Sequence, residues 1–72
     1  MTEYLFIKNL TRASHVHSFV IRKLLRGWEV SETEDRCVLE QRQLTDWHRV
    51  ERACLRFAHQ TAVLRESGWS ES

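Results

Sequence analysis

The 72-residue sequence contains no proline and only two glycines, two cysteines and one methionine. Isolated Gly27 and Gly68 cannot build the glycine-rich loop that cradles a phosphate, so a mononucleotide loop of that kind is excluded. Cys37 and Cys54 allow one bridge at most, far short of the framework that holds small secreted scaffolds together. Both are therefore expected to be reduced thiols, with Cys54 acting as a small hydrophobe on a helix face. No run approaches the ~20 apolar residues of a membrane span, which argues against a membrane partner. The four-residue apolar run Tyr4-Leu5-Phe6-Ile7 follows an acidic residue and does not read as a signal peptide. A cytoplasmic location is the expectation. Chemistry-bearing spacings are missing too: there is no Cys-x-x-Cys, no His-Glu-x-x-His and no Gly-x-Ser-x-Gly. Histidines 15, 17, 48 and 59 do not share a metal-ligating spacing. No metal, no cofactor and no enzymatic activity is expected. An enzyme would have to assemble its site from residues such as His48, His59 and Glu40.

What is present is enough apolar material for one core. Hydrophobic residues make up 42% of the chain, with three Trp and three Phe, and charged residues make up 29%. This composition belongs to a folded chain, and its length to a single small α+β domain over residues 1–72. The net charge is only +1, but its distribution is uneven. Arg12, Arg22, Lys23 and Arg26 occupy a stretch without acids, and Glu29, Glu32, Glu34 and Asp35 a stretch without bases. Such blocks orient partners.

Each glycine precedes a tryptophan, and each Gly-Trp reads as a helix C-terminus. Working back from Gly27 gives a helix over Ser14–Arg26, with Val16, Val20, Ile21, Leu24 and Leu25 on one arc. Phe19 falls outside that arc, beside Lys23 and Arg26. Two readings stay open there: an exposed aromatic ringed by cations, or a core residue on a rolled helix. Working back from Gly68 gives a second helix over Thr45–Ser67, capped by Thr45, with Asp46 in its first turn. Its apolar face holds Trp47, Val50, Cys54, Phe57, Thr61 and Leu64 at alternating steps of three and four. Glu3–Asn9 reads as a strand, and Trp28–Leu44 as a hairpin turning near Thr33–Arg36. The expected fold is a two-layer α+β sandwich of order β-α-β-β-α. Its three-stranded antiparallel or mixed sheet, in order 1-3-2, carries both helices on one face.

Two surfaces follow. Phe19, Arg22 and Arg26 are the candidates for a protein contact, and an open sheet face makes a second copy of the chain a natural partner. Arg49, Arg52 and Arg56, spaced three and four apart with His48, His59 and Val63, form a ridge opposite the apolar stripe. Such a ridge follows a phosphate backbone, although no aromatic residue interleaves with it.

Gly27-Trp28-Glu29, then Leu44-Thr45-Asp46-Trp47 opening a long helix, then Trp69, make residues 24–69 similar to the pterin-4a-carbinolamine dehydratase family. The resemblance implies an α+β sandwich that dimerises through its sheet. Where that family carries its His-His-Pro-Glu-Trp motif, this chain has Arg65-Glu66-Ser67-Gly68-Trp69, so no catalytic residue is carried over. Small toxin domains of the double-stranded-RNA-binding type also place a Gly-Trp before a hairpin, but their Gly-Ser-His-type segment is missing here. The leading expectation is a non-enzymatic protein-interaction or assembly module, homodimeric in its simplest form. The alternative is a nucleic-acid-binding accessory protein using the arginine ridge.

Overall fold

The computed structural model describes residues 3–72, and Met1 and Thr2 of the expected domain lie outside the described residues. Four strands come first: β1 (Tyr4–Arg12), β2 (His15–Leu24), β3 (Gly27–Glu34) and β4 (Cys37–Leu44). One helix, α1 (Trp47–Glu66), follows, and a short β5 (Ser70–Glu71) ends the chain. The sheet is antiparallel at every pairing, in the order β4-β3-β2-β1-β5.

This corrects the expected architecture. Ser14–Arg26 forms no helix: His15–Leu24 is a central strand, flanked by β1 and β3. The sheet has five strands rather than three, and its one face carries one helix rather than two. The physical reason lies in the alternation His17-Phe19-Ile21, whose side chains are all buried while their neighbours face the other side. Val16, Phe19, Val20 and Ile21 suit a pleated strand better than a helix, because their branched and aromatic side chains lose χ1 freedom on a helix.

The turns explain how the meander closes without proline or an Asn-Gly pair. Ala13 and Ser14 link β1 to β2, with Ala13 at φ 55°. Leu25 and Arg26 link β2 to β3, and Gly27 follows at φ 107°. A Cβ on Gly27 would stand 2.4 Å from the Leu44 carbonyl oxygen, so only glycine fits. Gly27 therefore ends a strand turn and not a helix. Asp35 and Arg36 link β3 to β4 with φ of 49° and 70°, the pattern of a type I′ turn.

The second helix agrees closely with its expected span. Its cap is Asp46 rather than Thr45: the Asp46 carboxylate accepts the His48 backbone N–H at 3.0 Å. At the other end Gly68 N–H donates to Arg65 O at 3.1 Å and Trp69 N–H to Leu64 O at 3.0 Å, a Schellman closure with Gly68 at φ 99°. That closure turns Trp69 back toward the core and leads the chain into β5 beside β1.

The core lies between the helix and one sheet face. Leu10, Phe19, Ile21, Val30 and Leu44 from the sheet meet Val50, Ala53 and Phe57 from the helix. Phe57 sits between Phe6 and Phe19, with ring centroids 6.1 and 4.9 Å away. Tilted pairs at these distances add ~0.5–1.5 kcal/mol each beyond their area burial. The opposite sheet face carries no element of the described chain. Among the described residues, no helix is long and apolar enough to cross a membrane.

Candidate functional site

The helix is buried along Val50, Ala53, Phe57 and Thr61, and its two flanks therefore overhang the sheet. On the flank toward β4, the stripe Arg49, Arg52, Arg56, His59, Val63 repeats at steps of three, four, three and four, so these side chains share one side. Beneath them lies the helix-facing side of β4, where Glu40 and Arg42 alternate with outward residues.

Arg42, Arg49, Arg52, Ala53 and Arg56 line a groove of about 270 Å³. Glu40 is its one carboxylate partner, 3.0 Å from Arg42 Nε and ion-paired with Arg56 Nη2. Arg56 also lies over the Phe57 ring, 5.2 Å from its centroid, which fixes the guanidinium between an anion and a π face. Among the described residues, no carboxylate stands within ion-pair distance of Arg49 or Arg52. Four guanidinium groups against one carboxylate leave about three positive charges uncompensated in one groove. Arginine is suited to such a place because its planar fork stays charged and binds phosphate or carboxylate oxygens in pairs.

No family model, no curated protein and no solved structure matches this chain. The site therefore rests on its own geometry.

The ridge expected at Arg49, Arg52 and Arg56 is thus on the surface and on one side of the helix. Sequence reasoning missed Arg42, because nothing in the spacing of the chain connects β4 to the far flank of the helix. The signal available was the alternation Glu40-Arg42-Leu44, which places Arg42 on the face whose next member, Leu44, is buried.

The second expected surface is dismantled. Phe19 is 1% exposed, packed between His17 (centroids 4.7 Å apart) and Phe57, and cannot touch a partner. Arg22 lies on the opposite sheet face, donating to Glu29 of β3 at 2.8 Å. Arg26 is exposed in the β2–β3 turn. These three residues do not come together. The two charge blocks meet at one point, Arg22 with Glu29, because β2 pairs with β3. Arg22 holds the Glu29 carboxyl below its ordinary range, with Gln41 adding a second hydrogen bond and burial opposing the shift. His15 and Asp35 form a 2.7 Å contact across the two turns, which raises the imidazole and lowers the carboxyl. The other Asp35 oxygen accepts the Val16 N–H at 2.9 Å, a second reason its anion is favoured.

Beyond the arginines on the same flank is a second recess of about 360 Å³, lined by His17, Phe19, Glu32, His59, Gln60, Val63 and Leu64. The two recesses follow one another along this flank: Glu40, the partner of Arg56, stands directly across the strand pair from Glu32. His17, 7% exposed, sets Nε2 2.8 Å from Glu32 and Nδ1 3.5 Å from Glu34. Trp69 closes over the same ring edge-on, its centroid 6.0 Å away. Gln60 Oε1 is buried with no hydrogen-bond partner.

Proposed function

We propose that this domain is a nucleic-acid-binding accessory module that grips a phosphate backbone in the groove between α1 and β4. The observation that carries the reading is the convergence of Arg42, Arg49, Arg52 and Arg56 on one groove with a single acid among them. A cytoplasmic location, where nucleic acid is at hand, accords with this use. With about three net charges engaged, log affinity falls against log salt with a slope of about −2 on single strands and about −2.7 on duplex. Raising salt from about 50 to 200 mM then weakens binding ~20-fold on single strands and ~40-fold on duplex. Replacing Arg49 and Arg52 together with glutamine removes roughly two of those contacts and flattens the slope by about 1.4 on single strands and about 1.8 on duplex. Both positions are exposed on the helix, so the fold stays intact. Fluorescence anisotropy on labelled decamers across a salt series reads the slopes. A slope unchanged in the double variant refutes the reading, and tighter binding to polyglutamate than to nucleic acid reassigns the groove to acidic proteins.

A second reading, homodimerisation, is favoured by the uncovered sheet face. Ile7, Val16, Val20 and Val38 lie on it beside the Arg22–Glu29 pair. A two-fold copy would set Arg22 against the partner's Glu29, so the face is self-complementary in charge. Four strands at ~4.8 Å spacing and eight residues at ~3.3 Å give roughly 500 Å² per face. Two such faces together approach the ~1,200 Å² at the lower end of stable interfaces. Light scattering tests this: the mass should climb from 8.6 kDa toward twice that value as concentration rises. Ile7→Lys should hold it at one chain. A wild-type mass that stays at one chain up to about 300 μM sinks the dimer, since any Kd below about 100 μM would leave most chains paired there.

A further inference from the structure

Resting on the nucleic-acid reading, we propose that the groove takes a single strand and turns one base into the recess beyond the arginines, with preference for an amino-bearing base over uracil or thymine. The first support is continuity. Arg49, Arg52 and Arg56 lead along one helix flank to His59 and Val63, and Gln60 lies one turn after Arg56, a rise of about 6 Å. A backbone phosphate held at Arg56 therefore has its base within reach of Gln60.

The second support is polarity. The arginine end attracts phosphate, whereas Glu32 and Glu34 at the other end repel it. A strand lying in the groove places its backbone at one end and an uncharged group at the other. Phe19, Val63 and Leu64 supply apolar walls for such a group, and about 360 Å³ accommodates a planar ring system. A base still paired and stacked in a duplex cannot enter a recess between a helix and a sheet, so the ligand is single-stranded or locally opened.

The third support is the chemistry of the lining. Gln60 lines the recess and its Oε1 is an acceptor without a donor, so a turn of its terminal amide toward the recess would let a ligand supply one. Glu32 gives His17 one oxygen, Oε2, at 2.8 Å, and its other oxygen is a second acceptor on the same recess. Two acceptors select a base edge rich in N–H groups. The exocyclic amino groups of cytosine, adenine and guanine meet that need. Uracil and thymine flank their single N–H with carbonyl oxygens, which would face the carboxylate.

The test compares three labelled decamers at about 50 mM salt: oligodeoxycytidine, oligodeoxyuridine and an abasic phosphodiester strand. Cytosine and uracil share one ring size, so the pair isolates the amino group. Wild-type protein should bind the cytidine strand roughly tenfold more tightly than the uridine strand. Gln60→Leu should bring that ratio toward one and leave affinity for the abasic strand unchanged. Equal binding of the cytidine and uridine strands overturns the base recess and leaves the arginine groove standing. A ratio that Gln60→Leu does not alter overturns it as well. Binding to none of the three strands removes the nucleic-acid reading, and the base recess falls with it.

Discussion

Truncating Phe19 separates a buried placement of its ring from an exposed one by a wide margin. Its ring is 1% exposed and lies 4.9 Å from Phe57 and 4.7 Å from His17, at the centre of the layer between sheet and helix. Phe19→Ala deletes a buried ring whose neighbours sit on a sheet and a 20-residue helix, neither of which collapses easily into the space. Such deletions cost ~3–5 kcal/mol. A chain of 72 residues has about 4–11 kcal/mol of total stability at typical values per residue, so the loss takes at least a quarter of it. Urea unfolding followed by tryptophan fluorescence and far-UV circular dichroism measures it. The midpoint should fall with the slope unchanged, and the melting temperature should drop by at least ~12 °C. Arg22→Ala, on the opposite face, controls for disturbance of the strand itself and should cost far less. A Phe19→Ala loss below about 1 kcal/mol would refute the burial, since only an exposed ring is removed so cheaply.

Other expectations follow from single contacts. His15 should titrate above its ordinary 6.5 by proton NMR, and Asp35→Asn should move it back down. The sign is definite: a raised imidazole stabilises the fold fully below 6.5 and loses that contribution as pH climbs through the raised value. The lowered Asp35 acts oppositely, contributing above its ordinary 3.8 and losing its contribution as pH falls through the lowered value, so the pair favours the mildly acidic window between them. Gly27→Ala should destabilise by roughly 2–3 kcal/mol, because it adds positive-φ strain to a Cβ placed 2.4 Å from Leu44 O. A thermal melt unchanged by that substitution would contradict the turn geometry. Cys37, exposed, should react with a thiol reagent in the native protein well before Cys54, whose thiol burial pushes upward.

The parts of this fold that could be read from the sequence are those where one period dominates. In Thr45–Ser67 the steps of three and four run for five turns and end at a glycine in the left-handed region, and the observed helix departs from that span by two residues at the start and one at the end. In Trp28–Leu44 the alternation, broken by a polar turn, gives the hairpin β3–β4 with its turn at Asp35–Arg36. Ser14–Arg26 defeats the same reasoning because both of its faces hold apolar residues. Val16, Val20 and Leu24 lie on the uncovered side and His17, Phe19 and Ile21 on the covered side. A strand apolar on both faces lacks clean alternation, and an arc can be drawn through it at a helical angle. Gly27 then supplied a false helix end, since the left-handed conformation that stops a helix also serves a strand turn.

The same strand decides which surface is left for function. Were it a helix with Phe19 off its apolar arc, Phe19 and its neighbouring cations would stand outside and the acidic block after Gly27 would be free. As β2, it spends its charge internally: Arg22 on Glu29, His17 on Glu32 and Glu34, His15 on Asp35. Of the nine arginines in the chain, Arg49 and Arg52 stand together with no such partner and face the same groove as Arg42 and Arg56. A helix laid across a sheet on a narrow apolar stripe leaves two flanking troughs, and their lining is free of any packing requirement. On the β1 side Glu71 stands 2.7 Å from Lys8 and 3.2 Å from Arg65, so each of the two cations lining that trough has a carboxylate partner. On the β4 side Arg49 and Arg52 have none among the described residues. Stability does not require four guanidinium groups around one carboxylate there, and mutual repulsion opposes it, so the phosphate backbone we propose for the groove would relieve a repulsion that the chain itself leaves standing.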